Sequence, residues 1–290
     1  MRVLVGILAA LTGVVALFVI APALVLNAIA RGDDVVIDRD VAFGTDPRLR
    51  LDIYRPAQLA ANAPVVVFFY GGSWQWGEKS SYRFVGAALA RAGIVAVIPD
   101  YRVYPPVVYP DFLRDSALAV RWAKENAGRF GGDPSKLFLA GHSAGAYNAA
   151  MLNLDPRWLG EVKLDSQQDI LGMIGIAGPY DFLPLESAQL KIIFGPEDAR
   201  PATQPIAYAD GKAPPMLLLR PARDSVVDPG NSERLAAKIK SKGGDAAVNT
   251  YGGVGHISII GTFSPLLSFL APVQDDLIRF VFQRSARSPG

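Results

Sequence analysis

The sequence has no cysteine, which removes disulfides, a thiolate nucleophile and cysteine-ligated zinc from its chemistry. Histidine is nearly absent too: with 2 copies in 290 residues, any histidine-dependent reaction must use His142 or His256. Net charge is close to nil, since 29 basic and 27 acidic residues give a formal +2. The two signs are interspersed, so the basic stripe that nucleic-acid binding needs is missing. Internal repeats and low-complexity tracts are also lacking. What remains, with 50% hydrophobic residues, is enough apolar material for one full core and one catalytic domain.

Charge is missing locally as well. Residues 3–30 hold no charged side chain, and Asn27 is the one strongly polar residue among them. Such a run is long enough to cross a bilayer, which takes roughly 20 apolar residues, and exceeds the ~7 to 15 apolar residues of a cleaved signal peptide. Gly13 and Pro22, with apolar residues on every face, suit lipid better than a half-exposed helix. An uncleaved membrane anchor over 1–30 is therefore expected, with the catalytic domain over 31–290. The alternative is secretion after cleavage at Ala28-Ile29-Ala30. Arg2 precedes the span and Arg31 is followed by Asp33 and Asp34, so the basic bias puts the N-terminus in the cytoplasm and the domain outside it.

From Val35 onward, short β-branched runs alternate with longer stretches of helical period, the pattern of an α/β fold with a mainly parallel sheet. Strands are expected over 35–43, 49–54, 64–70, 94–99, 136–141, 171–177, 215–220 and 246–251, the first two as an antiparallel hairpin. Helices are expected over 82–92, 112–130 and 232–242, with another starting at Ser143 and a last one over 263–283. Pro184, Pro196, Pro201 and Pro205 interrupt 184–211, which reads as a cap beside the active site.

Gly141-His142-Ser143-Ala144-Gly145 follows the expected strand 136–141 and opens a helix of small residues. In a nucleophile elbow the serine sits on a strained strand-to-helix turn, and a side chain at the flanking glycines would clash. A serine hydroxyl is a poor nucleophile near neutral pH and needs a base, usually histidine. His142 is inside the elbow, where its ring should point away from Ser143 and pack or shape the pocket. His256 lies on a glycine-rich loop after the last expected strand and is the suitable base. The orienting acid should come between serine and histidine in the chain. Asp224 stands closest to the end of strand 215–220 and is preferred. Asp228, before Pro229, reads as a turn or capping residue, and Asp181 as a weaker alternative acid. Acyl transfer also needs donors for an oxyanion. Tyr70-Gly71-Gly72-Ser73-Trp74 ends the third strand, and the backbone N–H groups of Gly72, Ser73 and Ala144 would supply them.

Together these residues resemble the α/β-hydrolase superfamily, and within it the carboxylesterases related to hormone-sensitive lipase and to the isoprenylcysteine methylesterase group. The resemblance covers about 35–282 and rests on Tyr70 to Trp74, Asp100-Tyr101-Arg102, Gly132-Asp133-Pro134, Gly141 to Gly145, Asp224 to Pro229 and Gly255-His256. The family often has histidine where Tyr70 stands and glycine where Ser73 stands; a backbone donor survives both changes. The resemblance implies an eight-stranded, mostly parallel sheet flanked by helices, and a bracing role for Asp100 and Arg102. It also implies hydrolysis of a small carboxylic ester of short or medium acyl chain, without metal or organic cofactor. An amide or formamide substrate, or a catalytically silent binding protein of the same fold, is the alternative.

Overall fold

The β-branched runs pair into a single eight-stranded sheet in the computed structural model, which describes residues 22–30, 32–58 and 62–286. The strands are β1 (Val35–Ala42), β2 (Arg50–Pro56), β3 (Ala63–Phe69), β4 (Val95–Pro99), β5 (Gly132–His142), β6 (Gly172–Ile176), β7 (Met216–Pro221) and β8 (Ala246–Tyr251). Their order across the sheet is β1-β2-β4-β3-β5-β6-β7-β8. The first two form an antiparallel pair and β2 runs antiparallel to β4, while every pairing from β4 to β8 is parallel. This is the mainly parallel sheet that the residue pattern predicts, in the α/β-hydrolase order that the resemblance implies.

The helices of the described residues are α1 (Pro22–Ile29), α2 (Arg83–Arg91), α3 (Asp111–Asn126), α4 (Ala144–Leu154), α5 (Pro156–Glu161), α6 (Ser166–Asp169), α7 (Ala188–Ile193), α8 (Gly230–Ser241), α9 (Ser258–Gly261) and α10 (Val273–Ser285). They cover both faces of the sheet, so the middle strands must be apolar on both sides. β3 shows it: all seven of its residues are buried. Val65, Val67 and Phe69 pack with α3, α4 and α8, while Val66 and Phe68 pack with α2, α9 and α10. The two-residue period of a strand thus divides one apolar run between two cores.

One expected helix is corrected. The stretch 263–283 is not continuous: α9 ends at Gly261, a short turn covers Ser268–Leu270, and α10 starts only at Val273. Pro265 and Pro272 lie in the gap; a proline has no N–H to donate and its ring clashes with the preceding turn, so the helix restarts directly after Pro272. The expected helix 112–130 likewise ends as α3 at Asn126, with a tighter turn Ala127–Phe130 following.

Most of the expected anchor, residues 1–21, lies outside the described residues. Its last part does not stand apart from the domain. Within α1, Leu26 is buried against α2 and α9, Asn27 Nδ2 donates to the Ser80 carbonyl at 2.8 Å, and Asn27 Oδ1 accepts from Phe84 N–H at 2.9 Å. The boundary expected at residue 30 thus falls after a helix that packs on the domain, where Asn27 finds two backbone partners that lipid would not offer. Among the described residues, no helix is long and apolar enough to cross a membrane.

Candidate active site

β5 ends at His142 and α4 starts at Ala144, which leaves Ser143 alone to turn the chain, at φ 54° and ψ −123°. That conformation carries strain of about 1 to 3 kcal/mol, and its surroundings must enforce it. Ser143 N–H donates to the Ile176 carbonyl at 2.9 Å, and the Ser143 carbonyl accepts from Ala146 and Tyr147 in the first turn of α4. The flanking glycines provide room. A Cβ on Gly141 would stand 2.3 Å from the Gly145 carbonyl oxygen, and one on Gly145 would stand 2.1 Å from that of Phe69. The turn thus presses α4 against both β5 and β3, and sets Ser143 on the wall of a cavity where the strands end.

Three side chains from distant parts of the chain meet there. His256 Nε2 is 2.9 Å from Ser143 Oγ, and His256 Nδ1 is 2.8 Å from Asp224 Oδ2. Asp224 follows β7 in a turn that wraps its other oxygen: Oδ1 accepts from Val226 N–H at 2.8 Å and Val227 N–H at 3.0 Å. A carboxylate so placed can only accept, so the proton on the ring sits at Nδ1 and Nε2 offers its lone pair to the Ser143 hydroxyl. The side chains of Asp224 and His256 are only 1% and 5% exposed, which keeps water from competing for these bonds. The arrangement can draw the proton from Oγ and stabilise the imidazolium that results.

The other two acids weighed from the sequence are elsewhere. Asp181 Oδ2 lies 2.5 Å from Arg234 Nε, and Asp228 Oδ2 lies 2.9 Å from Arg234 Nη1. Asp228 Oδ1 also accepts from Gly230 N–H two residues on, the turn use its sequence context implied.

The loop after β3 runs along Ser143, with a Cβ on Gly71 calculated to lie 3.0 Å from that of Ser143. Gly72 at φ 140°, Ser73 at φ 52° and Trp74 at φ 58° coil it tightly. Ser73 and Ala144 line the same cavity as Ser143. Gly72 does not line it; a side chain there would strike the Trp76 carbonyl at 2.0 Å. Tyr70 is fully buried beneath the loop, stacked on Tyr101 at 4.6 Å between centroids, and its hydroxyl accepts from Arg48 Nη2 at 3.2 Å. Its replacement of histidine therefore acts on the support of the loop and leaves the pocket surface unchanged. Asp100 takes Lys79 N–H at 2.7 Å, and Arg102 pairs with the buried Asp115 at 2.8 Å, so both expected braces are made.

The cavity at Ser143 has a volume of about 590 Å³. Trp74 and Phe182 give it aromatic lining, Val226 and Val227 line it from the turn after β7, Leu183 lines it just before the expected cap, and Leu185 and Leu190 come from the cap itself. That cap contains α7 and two tight turns, Glu197–Thr203 and Pro205–Tyr208, and its prolines set the breaks. Asn231 ties the cap's root down: its Oδ1 accepts from Tyr180 and Asp181 N–H, both at 2.7 Å. Asn148 holds Trp74 through its indole N–H at 3.0 Å. Neither asparagine is legible in the sequence, since each works on partners 50 or more residues away.

His142 points away from the cavity, as expected of its place in the elbow. Its Nδ1 is 2.9 Å from the Tyr82 hydroxyl and its Nε2 is 2.9 Å from the His256 carbonyl oxygen. Burial, with His256 close by, pulls its pKa down to about 3, so the ring is neutral near pH 7.

Comparison with known proteins places the chain in a family. Residues 51–239 match the profile of the family described as BD-FAE. The chain is 33% identical over 229 residues to esterase LipC of Mycobacterium tuberculosis, a match covering 71% of this chain and 57% of that protein. It is 28% identical over 265 residues to the isoprenylcysteine alpha-carbonyl methylesterase ICME of Arabidopsis thaliana, covering 84% and 62%. The chain thus spans about three-fifths of the length of these curated relatives. Among solved structures, esterase B of Lactobacillus rhamnosis superposes with a TM-score of 0.79 at 19% identity, covering 99% of this chain and 98% of that one. A truncated carbohydrate esterase from gut microbiota gives 0.78 at 20% identity, covering 88% and 99%. At such low identity the two structures speak for the fold alone. With the profile match over most of the sheet and the relatives in sequence, the chain belongs to the BD-FAE family, in the branch of the α/β-hydrolase superfamily that holds the hormone-sensitive lipase and isoprenylcysteine methylesterase groups.

Proposed function

We propose that this protein is a serine hydrolase that cleaves carboxylic esters through an acyl-enzyme. The observation that carries the proposal is the unbroken hydrogen-bond series from Ser143 Oγ through His256 to Asp224, at 2.9 and 2.8 Å. Ser143 Oγ attacks the ester carbonyl while His256 Nε2 takes its proton. Backbone N–H groups of Ser73 and Ala144, the two expected donors that line the cavity, stabilise the oxyanion, each worth about 3 kcal/mol. The tetrahedral intermediate then expels the alcohol, which receives the proton from His256. Water enters, His256 takes its proton, and attack on the acyl carbonyl followed by return of a proton to Oγ frees the carboxylic acid and the enzyme. No cofactor is needed for these steps. A cavity of about 590 Å³ suits a small ester, and short to medium acyl chains are proposed.

A fluorophosphonate should label the wild-type chain at Ser143 and fail to label Ser143→Ala. p-Nitrophenyl esters of increasing chain length should be hydrolysed, best among the shorter ones. A chain that resists the probe would be a binding protein of the same fold, and one that cleaves only an amide or formamide would overturn the ester assignment.

The same proposal covers location. Residues 3–21 carry no charge and precede a helix that belongs to the folded domain, which supports an anchor ending before Pro22 and a catalytic domain starting there. By the distribution of basic residues the domain would face away from the cytoplasm. Deleting residues 1–21 should release the protein from membranes with its activity and Tm intact. Deleting residues 1–30 should also remove α1, exposing apolar surface on α2 and α9, at a cost of about 2 to 4 kcal/mol seen as a lower urea midpoint. Equal stability of the two truncated chains would show that α1 contributes nothing to the fold.

A further inference from the structure

We infer that His142 and Tyr82 are positioning residues that lock the loop bearing His256 to the loop bearing the oxyanion donors, so that the two move as one unit. The inference rests on the ester-hydrolase reading above. The hydrogen-bond geometry assigns every proton. The His256 carbonyl oxygen can only accept, so His142 Nε2, 2.9 Å away, must carry a hydrogen and donate it. His142 Nδ1 then has a lone pair, and the Tyr82 hydroxyl at 2.9 Å must donate to it. The same hydroxyl oxygen accepts from Gly71 N–H at 3.1 Å. Three consecutive bonds therefore run from Gly71, the neighbour of Gly72, to the backbone of His256, and none has an alternative direction.

Each link keeps its protonation state. Burial pushes the Tyr82 hydroxyl up to about 12, so it retains the proton it donates. His142 stays neutral because burial and the nearby His256 hold its pKa at about 3. Neutrality matters at this spot. The two imidazole rings are 5.1 Å apart, and a cation at His142 would oppose the imidazolium that forms on His256 as Ser143 loses its proton. Neither His142 nor Tyr82 lines the cavity, so both act on substrate through the groups they hold.

Catalysis needs His256 Nε2 within reach of Oγ at the moment the loop donors reach the oxyanion. A relative shift of about 1 Å can cost a hundredfold in rate while leaving ground-state binding nearly unchanged. The test is kcat and KM of the full chain on a p-nitrophenyl ester, with Tm recorded for each variant. His142→Phe fills the space without hydrogen bonds and should lower kcat about tenfold to a hundredfold, with KM within about threefold. His142→Gln restores an N–H donor and should recover kcat to within about fivefold of wild type. Tyr82→Phe should lower kcat about tenfold. The double variant with His142→Phe should be no slower than His142→Phe alone, because both act in one series of bonds.

A wild-type kcat in folded Tyr82→Phe would overturn the inference, as would a His142→Gln variant as slow as His142→Phe, which would mark volume as the cause. Tyr82→Phe removes one oxygen atom and decides the matter even where His142→Phe does not fold. If the wild-type chain neither hydrolyses esters nor takes the fluorophosphonate, the function reading fails instead, so the two failures are distinguishable.

Discussion

Asp224→Asn is expected to lower turnover about 10⁴-fold while leaving the fold intact, the size of effect seen when the same exchange is made in another serine hydrolase. The reason lies in the turn around the residue. Val226 and Val227 N–H point at Oδ1, so an asparagine would put its carbonyl oxygen there and its amide group against His256. Two donors cannot face each other; His256 would move its hydrogen to Nε2 and lose the lone pair that receives the serine proton. Asp228→Asn and Asp181→Asn lose only partly exposed pairs with Arg234, interactions worth about 0 to 1 kcal/mol, and should keep most of the activity. All three variants need kcat measured on protein shown to be folded. An active Asp224→Asn beside a severely impaired Asp228→Asn or Asp181→Asn would show that another carboxylate orients the histidine.

Gly145→Ala should destabilise the protein by more than about 3 kcal/mol, beyond the usual range for an overpacked core, or prevent folding altogether. The added Cβ would stand 2.1 Å from the Phe69 carbonyl oxygen, 2.4 Å from its carbon and 2.5 Å from the Tyr70 oxygen. These are all backbone atoms at the end of a central strand. No rotamer change can relieve the clash; β3 or α4 must shift, taking with it the oxyanion loop or the nucleophile. Any folded fraction should therefore turn over slowly as well. Gly160→Ala is the control, because nothing lies within 4 Å of a Cβ built there and its helix would gain about 0.5 to 1 kcal/mol. Urea unfolding of the two variants checks the contrast, and a Gly145→Ala midpoint equal to wild type would show that the approach of α4 to β3 is not tight.

Several parts of this protein were legible before any coordinates. The strands at 64–70, 94–99 and 171–177 stood out because a strand covered on both faces has to be apolar at every position, as β3, β4 and β6 are. The elbow stood out because glycine at 141 and 145 is demanded by close backbone approach, which composition cannot disguise. His256 followed from scarcity: with two histidines and one already in the elbow, only one could be the base. Asp224 followed from chain order and its distance from the end of β7, and the structure brings it to His256 at 2.8 Å.

Other parts needed the folded chain. A uniformly apolar segment has no face, so the run 3–30 by itself does not disclose that its last part packs on the domain; the two bonds of Asn27 to the backbone of Ser80 and Phe84 do. The periodicity over 263–283 favoured one helix, but Pro265 and Pro272 act on hydrogen bonds that a pattern of apolar residues does not record. The bonds linking Tyr82, His142 and His256 join residues 60 and 114 positions apart. Local chemistry, in which residue type and spacing set the backbone, determined the strands, the elbow and which three side chains were expected to meet. Only tertiary structure decided how those side chains are held, because a hydrogen bond between distant segments depends on the path of the whole chain and leaves no trace at either end of the sequence.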